Sequence, residues 1–185
     1  GVLITISMII AVIFSVGLFF ILPTFISSFI PKTVPRILFN LCEGVVRLAI
    51  FMGYMIIIAK MKDIRRVYMY HGAEHKTIFC YEKGLPLTVE NVREQKRFHP
   101  RCGTSFMILM ILISVIFSTV IQMIFPAVYT IKWLWVVAKI LMVPLICGVG
   151  FEVLKICGKY DNVITRIISA PGLWLQRIST KEPED

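Results

Sequence analysis

Long apolar runs constrain this chain more than any other feature. Residues 1–30, about 36–60, 104–125 and a last stretch ending near Cys157 are each long and hydrophobic enough to cross a bilayer. Hydrocarbon offers backbone groups no partners, so a segment that crosses it pairs its own N–H and C=O groups as a helix. The expected fold is all-α: a polytopic membrane protein with four transmembrane helices, a cytoplasmic helical metal-binding loop and an interfacial C-terminal helix. Composition agrees, because 57% of the 185 residues are hydrophobic and 17% are charged, too few to cover a soluble surface. The chain opens at Gly1 inside an apolar run, without an initiator Met, a basic n-region or a small-residue cleavage site. A signal peptide is therefore not expected, and the native start is expected to lie upstream.

Punctuation divides the chain into 1–60 (two spans), 61–103 (the metal-binding loop), 104–157 (two more spans) and 158–185 (the tail). Pro23 is expected to kink or end the first helix, and Pro31 to Pro35 to form a turn. The second helix is expected to run on past the bilayer from Asp63 through His71 to Phe79. Thr88 suits the N-cap of a short helix that stops near Phe98, because His99 precedes proline. Trp133 and Trp135 suit the interface at the start of the last span. The tail is expected to break at Pro171–Gly172, its apolar residues and Trp174 lying in the interface between Arg166 and Arg177.

Charge sets the expected orientation. Residues 60–101 carry ten Lys or Arg and the tail from Lys155 five, against two in the turn at 31–36 and one in the turn at 126–132. The positive-inside rule puts the loop and both ends on the cytoplasmic side. The net charge of +9 needs no nucleic acid to explain it, since no aromatic-interleaved binding motif accompanies the bases. Anionic lipid headgroups are the expected contact. Five cysteines give no disulfide framework, and reduced Cys80 and Cys102 suit a cytosolic face.

The chemistry is concentrated between Tyr70 and Ser105. His71, His75 and His99 are the only histidines in the chain. His71 and His75 are four apart, on one helix face, and Glu74 makes the segment His-x-x-Glu-His. His99-Pro-Arg-Cys102-Gly has the spacing of a zinc knuckle with histidine in the first ligand position. Two ligands from a helix and two from a turn complete a tetrahedron suited to zinc, or to another divalent transition metal. Four protein ligands make a closed, structural site. Three would leave a position for water, with Glu74 as general base of a hydrolase or peptidase. Glu152, in the last span, is a further candidate as ligand, as a carboxylate orienting a histidine, or as partner of Arg101.

A second polar group lies inside the apolar runs. A charge in hydrocarbon costs about 2.5–3.5 kcal/mol on insertion scales, so such residues seek partners. Glu43 and Arg47 are spaced i,i+4, with Asn40 beside them and Lys139 at similar depth in the last span. The expected role is a clasp fixing helix register, with an ion or proton path as the alternative.

The segments Tyr-His-Gly-Ala-Glu-His-Lys-Thr, His-Pro-Arg-Cys-Gly-Thr-Ser-Phe and Pro-Gly-Leu-Trp-Leu-Gln-Arg-Ile-Ser-Thr-Lys-Glu-Pro resemble the bacterial YqhQ family, essentially over the whole chain. That family consists of uncharacterised membrane proteins described as predicted metal-dependent enzymes. The resemblance implies a bacterial plasma membrane location and a further N-terminal region in the complete proteins. It places His71, Glu74, His75, His99 and Cys102 at the motif positions. Two functions remain open at this level. One is a non-catalytic scaffold whose zinc site holds a docking surface for a membrane complex or a ribosome-associated partner. The other is a metal-dependent hydrolase at the cytoplasmic membrane surface.

Overall fold

A computed structural model describes residues 1–31 and 33–184. Among the described residues there is no β-strand, and the chain is helical as expected. The helices long and apolar enough to cross a membrane are α1 (Val2–Ser27), α2 (Arg36–Ile58), α5 (Gly103–Ile124) and α7 (Lys132–Lys159, apolar from Trp133). Between and after them lie α3 (Lys62–Glu82), α4 (Val89–Arg93), α6 (Pro126–Thr130) and α8 (Val163–Ser179).

The chain forms two compact units, Gly1–Gly53 with Ile111–Ile146 and Tyr54–Met110 with Cys147–Asp185. In the first, Asn40 on α2 and Gln122 on α5 exchange side-chain hydrogen bonds of 2.9 and 3.1 Å. A dry span satisfies its amides in this way, because lipid cannot. Gly44 on α2 lies so close to Val115 on α5 that a Cβ would collide with that side chain. α1 continues through Pro23 to Ser27, so the proline does not end it; a π-helical turn at Gly17–Ile21 precedes it. Such a turn absorbs the hydrogen-bond shift that proline imposes.

The second unit departs from expectation at three helix ends. α2 stops at Ile58, and the chain restarts as α3 after Met61, whose backbone is extended (ψ 134°). α4 ends at Arg93 rather than near Phe98. This early stop releases two carbonyls, Arg93 O to Lys76 Nζ (3.0 Å) and Arg97 O to His75 Nδ1 (2.5 Å). α8 runs unbroken through Pro171 and Gly172, starting from a capping box between Asn162 and Thr165. Proline removes one helical N–H, while Gly172 is needed because a Cβ there would strike Ser105. The pair therefore marks a close contact, not a helix end.

Candidate metal centre

On α3 the buried residues Tyr68, Gly72, His75, Lys76 and Cys80 recur at helical spacing, so the helix turns one stripe inward. His75 is 4% exposed and Cys102 5% exposed, with His71 half-buried beside them. One potential ligand atom from each of His71, His75 and Cys102 lies within 4.8 Å of the other two, a group able to hold a metal ion.

Main-chain carbonyls orient both imidazoles. His71 Nδ1 is 2.9 Å from Ser179 O, and His75 Nδ1 is 2.5 Å from Arg97 O. A carbonyl only accepts, so each Nδ1 carries a proton, and a metal would be bound through Nε2 after that nitrogen gives up its own proton. His71 Nε2 lies 3.2 Å from Cys102 Sγ. The two Nδ1 contacts are the kind that ligating histidines generally make behind the metal, with carbonyls as the acceptors.

Cys102 precedes α5, where Phe106 N–H reaches its carbonyl and Thr104 Oγ1 lies 3.2 Å from its sulfur. Burial opposes ionisation of the thiol, but hydrogen bonds from His71, His75 and Thr104 outweigh it and bring Cys102 down to about 5. A sulfur at a helix N-terminus favours the thiolate in any case. His71 is pushed up, chiefly by its hydrogen bond to Cys102 and against the effect of burial. Two imidazoles and a thiolate form a borderline-soft donor set, which suits zinc over calcium or magnesium.

The other expected site residues lie elsewhere. His99 is outside the three-residue group. Its Nδ1 accepts from Arg101 N (3.2 Å), its Nε2 faces Glu82 Oε2 (3.5 Å), and its ring sits 4.8 Å from Phe79. Burial pulls the His99 pKa down, with Glu82 opposing. The turn itself thus uses the ring that the knuckle spacing offered to a metal. Glu74 is exposed on α3. Glu152 is exposed and pairs with Lys155 at 3.4 Å, while Arg101 pairs with Glu82. Glu43 Oε1 receives Arg47 Nη2 at 3.0 Å and Lys139 Nζ at 2.7 Å, as the clasp requires.

The C-terminal segment is the part that spacing did not reveal. Gln176, fully buried, accepts from His99 N and donates to His99 O, each at 2.7 Å, and also donates to Ser105 Oγ. Lys181 N–H donates to Tyr68 O at 2.8 Å, and a Cβ on Gly72 would collide with Lys181 O. Lys76 pairs with Glu182. A glycine inside the Tyr-His-Gly-Ala-Glu-His helix was the available signal, since glycine mid-helix costs about 1 kcal/mol unless something passes close.

The chain matches, over residues 1–185, the family described as Protein of unknown function (DUF1385), and it belongs to that family. It is 37% identical over 180 residues to the "Uncharacterized protein YqhQ" of Bacillus subtilis (strain 168), covering 94% of this chain. The match covers 53% of that relative, so the chain spans about half its length. No solved structure matches the chain.

Proposed function

We propose that this member of the DUF1385 family is a zinc-binding protein of the bacterial plasma membrane, in which His71, His75 and Cys102 clip three chain segments into one docking surface. The observation that carries the reading is the pair of carbonyls behind the histidines. Ser179 O belongs to α8 and Arg97 O to the segment after α4, so a metal on α3 and Cys102 would fix both through the imidazoles. The surface serves a larger assembly as a non-catalytic scaffold, subunit or assembly factor, with a membrane complex or a ribosome-associated partner as its kind of occupant. The loop and the C-terminus face the cytoplasm.

α8 supports a membrane-apposed surface. Its buried face carries Thr165, Gly172, Leu175, Gln176 and Ser179. Val163, Ile167 and Trp174 fall on another stripe and are 67–72% exposed, bordered by Arg166 and Arg177. Apolar side chains edged by arginine suit the headgroup region of an anionic leaflet.

The test is zinc content together with protease resistance. Mildly purified protein should carry about one equivalent of zinc, and chelator should expose the 61–103 segment to protease, because site energy is folding energy. Metal-free protein with unchanged protease resistance would remove the proposal. One observation favours the hydrolase reading: three converging ligands leave a coordination position open. In that reading Glu74 is the general base toward a water at the site.

A further inference from the structure

We propose that the unit formed by Gly1–Gly53 and Ile111–Ile146 binds a small monovalent inorganic anion, of chloride size, beside Arg47. The argument starts from charge. Glu43 is the one acidic residue in this unit's sequence, against Lys32, Arg36, Arg47, Lys132 and Lys139. Arg47 and Lys139 both point at Glu43, and both meet the same oxygen, Oε1, at 3.0 and 2.7 Å. The Thr24 hydroxyl reaches that oxygen too, at 3.4 Å. The side chains of Glu43, Arg47 and Lys139 are 8%, 16% and 16% exposed, on helices apolar enough to span a bilayer. One carboxylate compensates one of the two cations. A second cation in that setting costs several kcal/mol without an anion of its own. The unit's sequence contains no second carboxylate to supply it.

The geometry points to where the anion sits. A small cavity is lined by Asn40, Glu43, Gly44, Arg47, Ser114 and Ser118, together with Val115. Arg47 Nη1 donates to Ser114 Oγ at 3.3 Å, and that hydroxyl donates onward to Ile111 O at 2.7 Å. Arg47 Nε is buried and, among the described residues, has no hydrogen-bond partner. A guanidinium presents several N–H donors in one plane, and here one edge serves Glu43 and Ser114 while Nε remains available. Glu43 forms part of the wall, with Oε1 occupied by the two cations. A single negative charge brings the group to neutrality, whereas a divalent anion would overshoot it. The cavity has room for a single small species at most, and its hydroxyl lining suits a halide-like ion. This inference is independent of the zinc reading.

The test uses the full chain in phosphatidylcholine nanodiscs, with sodium methanesulfonate replaced by sodium chloride at constant ionic strength. Tryptophan fluorescence should report a saturable rise in Tm of about 3–5 °C, reproduced by bromide and not by sulfate. Lys139→Met leaves a neutral Glu43–Arg47 pair. It should melt higher than wild type in methanesulfonate and gain nothing from chloride. Equal melting of wild type in chloride and methanesulfonate would overturn the proposal, as would an equal effect of sulfate. A chloride increment that survives in Lys139→Met would also refute it. Loss of the chloride effect in phosphatidylglycerol nanodiscs would assign the site to a lipid phosphate and overturn the inorganic-anion reading.

Discussion

In the unit that holds Cys102, polar side chains are seated by the main chain; in the unit that holds Glu43, they are seated by one another. Ser179 O and Arg97 O fix His71 and His75, and Gln176 grips both backbone groups of His99. Glu43, Arg47 and Lys139 rest on each other, on a few hydroxyls and on the rings of Phe20 and Trp135. The difference follows from the surroundings. Outside the spans, turns and helix ends leave carbonyls free to accept. Within a span every carbonyl is committed to its own helix, so charges settle against charges. The first arrangement turns two ring nitrogens and a sulfur toward one point, as a metal requires. The second concentrates charge without aiming it.

The largest effect should come from removing a converging ligand. His75→Ala or Cys102→Ser should weaken zinc by about 10³-fold or more, which is what losing one of three protein ligands does to a site worth on the order of 10 kcal/mol. His99→Ala should keep zinc near one equivalent while lowering stability, because its ring serves the turn at Arg101 and Phe79. Elemental analysis of the three variants checks this. Zinc loss in His99→Ala as complete as in Cys102→Ser would restore the four-ligand site that spacing suggested.

That contrast also marks what the sequence made legible. The spans could be read because bilayer thickness sets their length, and α2, α5 and α7 begin within a few residues of expectation. His71 and His75 could be read because four residues make one helical turn, and Cys102 because it follows His99-Pro-Arg. His99 falls outside the converging group, and ligand spacing does not say which ring nitrogen the turn itself consumes. Ser179 O and Arg97 O could not be read at all, because every residue carries a carbonyl. The continuation of α8 through Pro171 was hidden for a related reason. A Pro-Gly pair reads as a stop unless one knows that Ser105 packs against the glycine.

The Glu43 cluster should respond to mutation less than the candidate metal site and in a charge-dependent order. Glu43→Gln leaves Arg47 and Lys139 together without a carboxylate and should cost about 3–5 kcal/mol, as breaking a buried ion pair does. Lys139→Met keeps the Glu43–Arg47 pair and, compared without chloride, should melt slightly higher than wild type. Thermal melts in matched lipid compare them. Equal destabilisation by both would mean that packing, not charge, holds this unit's polar residues.

Gly72→Ala tests the main-chain seating more gently. Its methyl group would meet Lys181 O, so the segment after α8 has to shift and its Lys181 N–H to Tyr68 O bond weakens. A cost of about 1–3 kcal/mol is expected, typical of overpacking a fitted contact. Limited proteolysis should then cut near Lys181 sooner than in wild type, with zinc retained. An unchanged cleavage rate would mean that the tail does not bear on α3 in solution.

The smallest effect should belong to Glu74, and it separates the two functional readings. Glu74 is exposed and lies outside the converging group, while still adding to the upward push on His71. In the scaffold reading Glu74→Gln removes a distant charge and should weaken zinc by less than about 10-fold, below the loss usual for a carboxylate bonded to a ligand. Complementation of a deletion strain by this variant should be restored fully by added zinc. In the hydrolase reading Glu74 removes a proton in the reaction, and its loss costs on the order of 10²-fold or more in rate whatever the zinc occupancy. Zinc titration beside complementation therefore decides the matter. A fully loaded variant that still fails to complement would count against the scaffold, because the metal and its ligands remain in place while function is lost.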